Sequence, residues 1–170
     1  MVVGTTGAGK TTFGRALAGK LGATFVELDA LYWLGNWTPA PDFAARVEQA
    51  LKAECWVVDG NYNSQVQPYI LAQADTLIWL DYSFGTKFRR LFTRTCRRAF
   101  TRKALWNGNT ESVRQAFLSR ESIFVWFFKT HRSQRRRYEK LLPELPGHLT
   151  VYRLYRPAEA AGLLTAVTKS

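Results

Sequence analysis

The chain has 170 residues, 46% of them hydrophobic, and a formal net charge of +11. That length suits one domain with a substantial core, and the longest purely apolar run, Ile123 to Phe128, is far too short to span a bilayer. Cys55 and Cys96 lie far apart without metal-ligand spacing and no signal-peptide pattern opens the chain, so a soluble protein in a reducing, cytoplasmic setting is expected.

In chain order, the apolar pair Val2-Val3 leads into GTTGAGKTT, Gly4 to Thr12. This fits G-x-x-x-x-G-K-[ST], with Gly4, Gly9, Lys10 and Thr11 in the fixed places. Glycines let successive backbone N–H groups turn inward on phosphate oxygens, and the helix that follows points its positive end at the same anion. Gly4, Thr5, Thr6, Gly7, Ala8, Gly9, Lys10, Thr11 and Thr12 are therefore expected to cradle a nucleotide's phosphates. Lys10 would reach the β- and γ-phosphates, and the Thr11 hydroxyl would take a Mg²⁺ position. A helix over TTFGRALAGKL should close at Gly22. With so few residues before Gly4, either the first strand is unusually short or the true start lies upstream.

Short β-rich runs then alternate with helical patterns, which predicts a parallel sheet with crossover helices. TFVEL (24–28), WVVD (56–59), TLIWL (76–80) and LTVYRLY (149–155) are the further strands. Helices are expected from about Asp42 to Ala53, with Asp42 as N-cap, near Pro68, and from Pro157. Asp29, Asp59 and Asp81 each close a strand, and in a parallel sheet such ends converge on the mouth holding the phosphate loop. One or two of these acids, Asp59 and Asp29 before Asp81, would orient Mg²⁺ or its waters and accept the proton of an attacking hydroxyl. Each also fits a simple turn or cap residue, Asp81 best of the three.

From Ser83 to Leu142 the strand signal vanishes. Lys and Arg outnumber Asp and Glu by 15 to 2 between Lys87 and Arg137, against 5 to 8 before that stretch and 4 to 3 after it. A block of this kind binds phosphates, those of a small substrate or of a nucleic acid. Its first helix, Lys87 to Lys103, carries an apolar stripe of Phe88, Leu91, Phe92, Thr95, Ala99 and Phe100, with Arg90, Arg94, Arg97 and Arg98 opposite. A turn at Asn107 to Asn109 leads to a second helix, about Glu111 to Lys129, and a third runs through SQRRRYEKLL. An arginine brought to a transferring phosphoryl group accelerates transfer by roughly 10³ to 10⁵. Arg94, Arg97 and Arg98 are the best candidates, and Arg114 and Arg120 weaker ones; Arg135 to Arg137 and His131 read as exposed surface.

The N-terminal phosphate loop, LDALYW after the second strand, VVDGNY after the third and the Arg-rich helical insert together resemble the P-loop nucleotide-kinase families. Within them the chain is similar to the bacterial adenylate-kinase-related group that includes proteins labelled as DNA topology modulation proteins. The resemblance implies one three-layer α/β domain over 1–170 with a five-stranded parallel sheet. The core would be about 1–82 and 148–170, and the insert, about 83–147, a lid. It implies binding of Mg²⁺ and ATP and transfer to a small acceptor, with Asp29 at the acceptor site, the insert arginines over the phosphates and Arg156 beside the adenine ring. Tyr62-Asn63 stands where monophosphate kinases have Pro-Arg, so an arginine for an acceptor phosphate is missing. Arg46 is either its substitute or a solvated helix face. Tyr32, Trp33 and Trp37 in LYWLGNW either stack an acceptor ring or pack the core. A rival reading is a nucleotide-switched protein whose basic insert binds DNA or RNA, although the aromatics follow core spacing and no reading motif is present.

Overall fold

A computed structural model describes residues 1–62, 66–101, 107 and 122–167; the side chains of 98–101 lie outside that description. Five strands, β1 (Val2–Val3), β2 (Thr24–Glu27), β3 (Trp56–Asp59), β4 (Thr76–Leu80) and β5 (Thr150–Leu154), form one sheet. All pairings are parallel, in the order β2-β3-β1-β4-β5. The chain leaves the central strand toward β2 and β3 on one side and reaches β4 and β5 on the other. The loop after β1 therefore sits at the switch in strand order, where open α/β sheets leave a crevice.

The strands are rich in Val, Ile and Leu because both faces are covered. Side chains alternate between the faces, and so into two cores. Val2, Val57, Ile78 and Leu80 pack with Phe13, Leu17 and Ala160 of helices α1 (Lys10–Leu21) and α7 (Pro157–Ala166). Val3, Val58, Leu77 and Trp79 pack with Phe43, Val47 and Ile70 of α3 (Phe43–Ala50) and α4 (Gln67–Gln73). β1 has only two residues, yet both are fully buried and paired on either side. Burying a valine side chain contributes about 1.5–3 kcal/mol.

Element boundaries depart from the sequence pattern in two places. β2 ends at Glu27, because Leu28 already begins the short helix α2 (Leu28–Tyr32), so Asp29 lies in a helical first turn rather than at a strand end. Asp42 does stand at the N-cap of α3, but its side chain makes no cap hydrogen bond: its Oδ1 accepts from Arg46 Nε at 2.8 Å, and the helix ends at Ala50. Gly22 caps α1 as expected, with φ 67°.

Two helices of the insert are described, α5 (Phe84–Thr101) and α6 (Ile123–Leu141). The expected second and third insert helices are one from Ile123 onward, started by the Ser122 Oγ that accepts from the Val125 N–H at 3.2 Å. Residues 111–121, with Arg114, lie outside the described residues, as does most of the expected turn at 107–109. α5 and α6 are joined by phenylalanines. Phe88 lies 6.0, 6.1 and 5.8 Å from Phe124, Phe127 and Phe128, ring centre to ring centre. Leu91 and Thr95 are buried as the stripe requires, whereas Phe92 and Trp126 are about half exposed.

The root of the insert is tied to the sheet. Tyr138 of α6 is 1% exposed and lies 5.5 Å from Trp79. Asp81, just beyond β4, takes Arg153 of β5 at 2.7 Å and Arg135 of α6 at 3.3 Å. Arg135 is ion-paired although its side chain is 46% exposed, Arg136 is exposed as the run suggested, and Arg137 is half-buried and donates to Gln67 Oε1 at 3.1 Å. His131 is half-buried between Phe84 and Phe127, and burial first, then Lys87 and Arg135, push its pKa down. Among the described residues no helix is long and apolar enough to cross a membrane.

Candidate functional site

The phosphate loop runs from the carboxyl end of β1 to the first turn of α1. Gly9 stands at the N-cap of α1 with φ 88° and no side chain caps the helix, so its leading N–H groups are left to a ligand. Gly7 has φ 80°, and a Cβ there would collide with the backbone carbonyl of Lys87 in α5. The loop is therefore held from outside by the first helix of the insert, at a distance only glycine permits. Ala8 is fully buried, and its carbonyl accepts from Arg90 at 3.1 Å.

Asp59 at the end of β3 and Thr11 in the first turn of α1 come together as expected. The Thr11 hydroxyl donates to Asp59 Oδ2 at 2.5 Å. The other oxygen, Oδ1, is buried without a hydrogen-bond partner. Burial pushes the Asp59 pKa up; the charges of Asp29 and Glu27 add to this, while Lys10 and the Thr11 hydroxyl oppose it. Lys10, Thr11, Asp29, Glu27 and Asp59 thus share one electrostatic neighbourhood, with Glu27 and Asp59 partners in register on adjacent strands. Glu27 is held by Arg15 at 2.9 Å.

Asp29 lies at the far side of this mouth, in α2. Its Oδ1 accepts from the Tyr62 hydroxyl at 2.6 Å. Burial first, then the Asp29 charge and that hydrogen bond, hold the phenol protonated well above the ordinary tyrosine range. Tyr32, the last residue of α2, packs against Phe43 at 5.1 Å and Tyr62 at 4.7 Å, so this aromatic belongs to the core side of the alternative. Trp33 and Trp37 form an edge-to-face pair, centres 5.7 Å apart, outside both core clusters. Arg46, the candidate grip for an acceptor phosphate, is instead paired with Asp42 on its own helix.

The structure singles out two residues that the sequence pattern did not. Arg90 donates to the loop carbonyl of Ala8, lies 5.3 Å over the Tyr82 ring and would crowd a Cβ on Gly9. It is the member of the arginine row nearest the phosphate loop; Arg94 and Arg97 follow at i+4 and i+7 on the same helix face, exposed. Arg98 belongs to α5, but its side chain lies outside the described residues, as does all of Arg120. The second is Asn61. Its amide donates to the Gly4 carbonyl at 2.6 Å, and its Oδ1 accepts from the Gly4 N–H at 3.3 Å and from Tyr138 at 3.0 Å. It fixes the start of the loop to β3 and α6 together. The only signal for it is its place two residues after a strand-closing Asp, which many turn residues share.

Arg156 is at the N-cap of α7 with its side chain 82% exposed, nearest Glu159 at 3.9 Å. Glu159 in turn acts on Tyr82, beside Arg90, so Arg156 borders the arginine side of the site without entering it. No protein-family model, curated protein or solved structure matches the chain. The fold rests on its own geometry, an α/β architecture with an all-parallel five-stranded sheet, compatible with a P-loop NTPase-like layout.

Proposed function

We propose that this chain is a phosphotransferase of nucleotide-kinase type that binds Mg·ATP and moves the γ-phosphoryl group to a small acceptor such as a nucleoside or nucleotide. The observation that carries this reading is the Thr11–Asp59 pair at the start of α1, with Asp59 Oδ1 buried and unpartnered. A desolvated carboxylate oxygen without a partner is costly. Mg²⁺ bound with phosphates needs one or two protein oxygens, and the Thr11 hydroxyl and the Asp59 carboxylate are of that kind.

When bound, the cation would neutralise charge building on the transferring phosphates. The rest is the work of the chain's own groups. The uncapped N–H groups of α1 and the loop hold phosphate oxygens, and Lys10 adds a positive charge at the same end. Arg90, with Arg94, Arg97 and Arg98 further along α5, supplies guanidinium forks matched to phosphoryl oxygens. Asp29 takes the proton from the acceptor hydroxyl. Arg156 serves at most as a contact on the outer rim, where the nucleotide's base would leave the phosphate loop.

The test is ADP release from Mg·ATP with a panel of nucleosides, nucleoside monophosphates and small hydroxyl metabolites, with Lys10→Ala as control. Acceptor-dependent release that disappears in a folded Lys10→Ala protein is the expected result. Retained activity in that variant overturns the proposal. ATP binding without stimulated turnover moves the weight to a nucleotide-switched nucleic-acid-binding protein, whose affinity would fall steeply between low and physiological salt.

A further inference from the structure

We propose that the acceptor is an unphosphorylated, ring-bearing alcohol of nucleoside type, its ring gripped by Trp33 and Trp37 and its hydroxyl delivered to Asp29. This rests on the phosphotransferase reading above and narrows its acceptor.

Charge argues against a phosphorylated acceptor. Asp29 and Glu27 both act on Asp59 at this end of the mouth, where Lys10 opposes them and Arg15 pairs with Glu27 at 2.9 Å. Between residues 21 and 86 the sequence holds only two cations, Arg46 and Lys52. Arg46 is committed to Asp42 at 2.8 Å, and Lys52 is exposed beyond the end of α3. A phosphate entering beside Asp29 would meet a carboxylate that has no ion pair among the described residues, whereas a neutral alcohol meets no such repulsion.

The loop after α2 is built to hold a ring. Backbone hydrogen bonds fold it tightly: Leu34 N–H to the Thr38 carbonyl at 2.8 Å and Ala40 N–H to the Tyr32 carbonyl at 2.7 Å. To make this turn, Asn36 and Trp37 take φ 56° and 55°. Asparagine tolerates the left-handed region, but a bulky tryptophan there is an outlier. The strained backbone sets the Trp37 ring edge-on to Trp33. A core contact would not need this, since Tyr32, Phe43 and Tyr62 already seal the core beneath.

The ring platform and the base are linked. The link runs through Tyr32, whose ring lies 4.8 Å from that of Trp33 and 4.7 Å from that of Tyr62, and the Tyr62 hydroxyl donates to Asp29 Oδ1. One carboxylate oxygen is thereby oriented, and the other is available to an alcohol. Asn107 of the insert donates to the Trp33 carbonyl, which ties the basic insert to the acceptor loop. In the step itself the alcohol oxygen forms a bond to the γ-phosphorus. The bond from that phosphorus to the β–γ bridging oxygen breaks, ADP leaves with the electron pair, and the alcohol proton passes to Asp29.

The experiment is calorimetric titration of the full chain with Mg²⁺ and β,γ-imido-ATP. The titrants are adenosine, guanosine, cytidine and thymidine, their 5′-monophosphates, and ribose, and the same compounds are then offered with Mg·ATP. Nucleosides should bind at least tenfold more tightly than monophosphates and accept phosphate, with ribose unbound. Trp37→Asn, which suits the left-handed backbone, and Trp33→Leu should each weaken nucleoside binding by about tenfold, as loss of a base–aromatic stack does. Asp29→Asn should keep that binding and lose transfer by at least a hundredfold. Preferential binding and phosphorylation of monophosphates would overturn the inference while leaving the phosphotransferase reading intact. Unchanged nucleoside affinity in both ring variants would overturn the ring grip. Failure of every nucleoside to bind also overturns the inference; ADP release with other alcohols then shows that phosphotransfer survives, and its absence removes that reading as well.

Discussion

Asp59 is 4% exposed, whereas the proposed role of holding a cation would require it to stay charged. Its raised pKa has a definite sign in the stability curve. In metal-free protein the unfolded chain releases this proton first. Stability from this group is therefore full below the ordinary value of 3.8 and falls as pH climbs from there to the raised folded value. Asp59→Asn keeps an acceptor for Thr11 and removes the charge. The variant should equal or exceed wild type in melting temperature at pH 7 with chelator, and the difference between the two curves should open just above the ordinary carboxylate range. Adding Mg·ATP should raise the melting temperature of wild type and leave the variant almost unmoved. A variant that gained as much as wild type would place the cation elsewhere.

The insert's helices are attached by a second charged cluster that the phosphate loop does not use. Lys87 of α5 is 1% exposed, under Gly7 and beside Asp81. Burial lowers its pKa to about 8, with Arg135 adding to the shift and Asp81 opposing it. Because the unfolded chain binds this proton up to its ordinary value of 10.5, stability should rise between about pH 8 and 10.5. At 1.36 kcal/mol per pH unit the gain is at most about 3 kcal/mol. Lys87→Met should be more stable than wild type at pH 7 and lack that rise. Asp81→Ala acts oppositely. It leaves Arg153 and Arg135 without their shared carboxylate and Lys87 without its nearest compensation, and should cost about 3 kcal/mol in urea unfolding at neutral pH. A loss below about 0.5 kcal/mol would mean that solvent screens the cluster.

The whole molecule is a sheet between two cores, and the insert is rooted in one of them. Tyr138 of α6 sits in the cluster that also holds Val3, Val58, Leu77 and Trp79. The same side chain donates to Asn61, which holds Gly4 at the head of the phosphate loop. Core, loop and α6 therefore share contacts that cannot be lost separately. Urea unfolding followed by far-ultraviolet circular dichroism and by tryptophan fluorescence should give coincident transitions. Tyr138→Ala should lower both midpoints together, by about 3 kcal/mol or more. Separate transitions would make the insert an independent unit.

Patterns that depend on neighbours along the chain were legible in the sequence. The glycine-rich motif is a fixed spacing of glycines, lysine and threonine, and a loop stands where the pattern put it, between β1 and α1. The buried strands show as β-branched runs, and Asp59 closes one of them against Thr11 as the motif required. Asp29 was found at the right mouth but on the wrong element, because a five-residue helix is too short to show a period. Pairings across long separations left no such trace. Arg90 against Ala8, Asn61 against Gly4 and Arg135 against Asp81 each look like ordinary surface residues until the fold brings a partner up. By itself, then, the sequence determined the α/β alternation, the glycine-rich loop and the basic block, since local spacing and backbone conformation specify these. Only the tertiary structure decided which arginine touches the loop, which acids are ion-paired and which aromatic after β2 joins the core, because burial and charge compensation are set by residues distant in the chain.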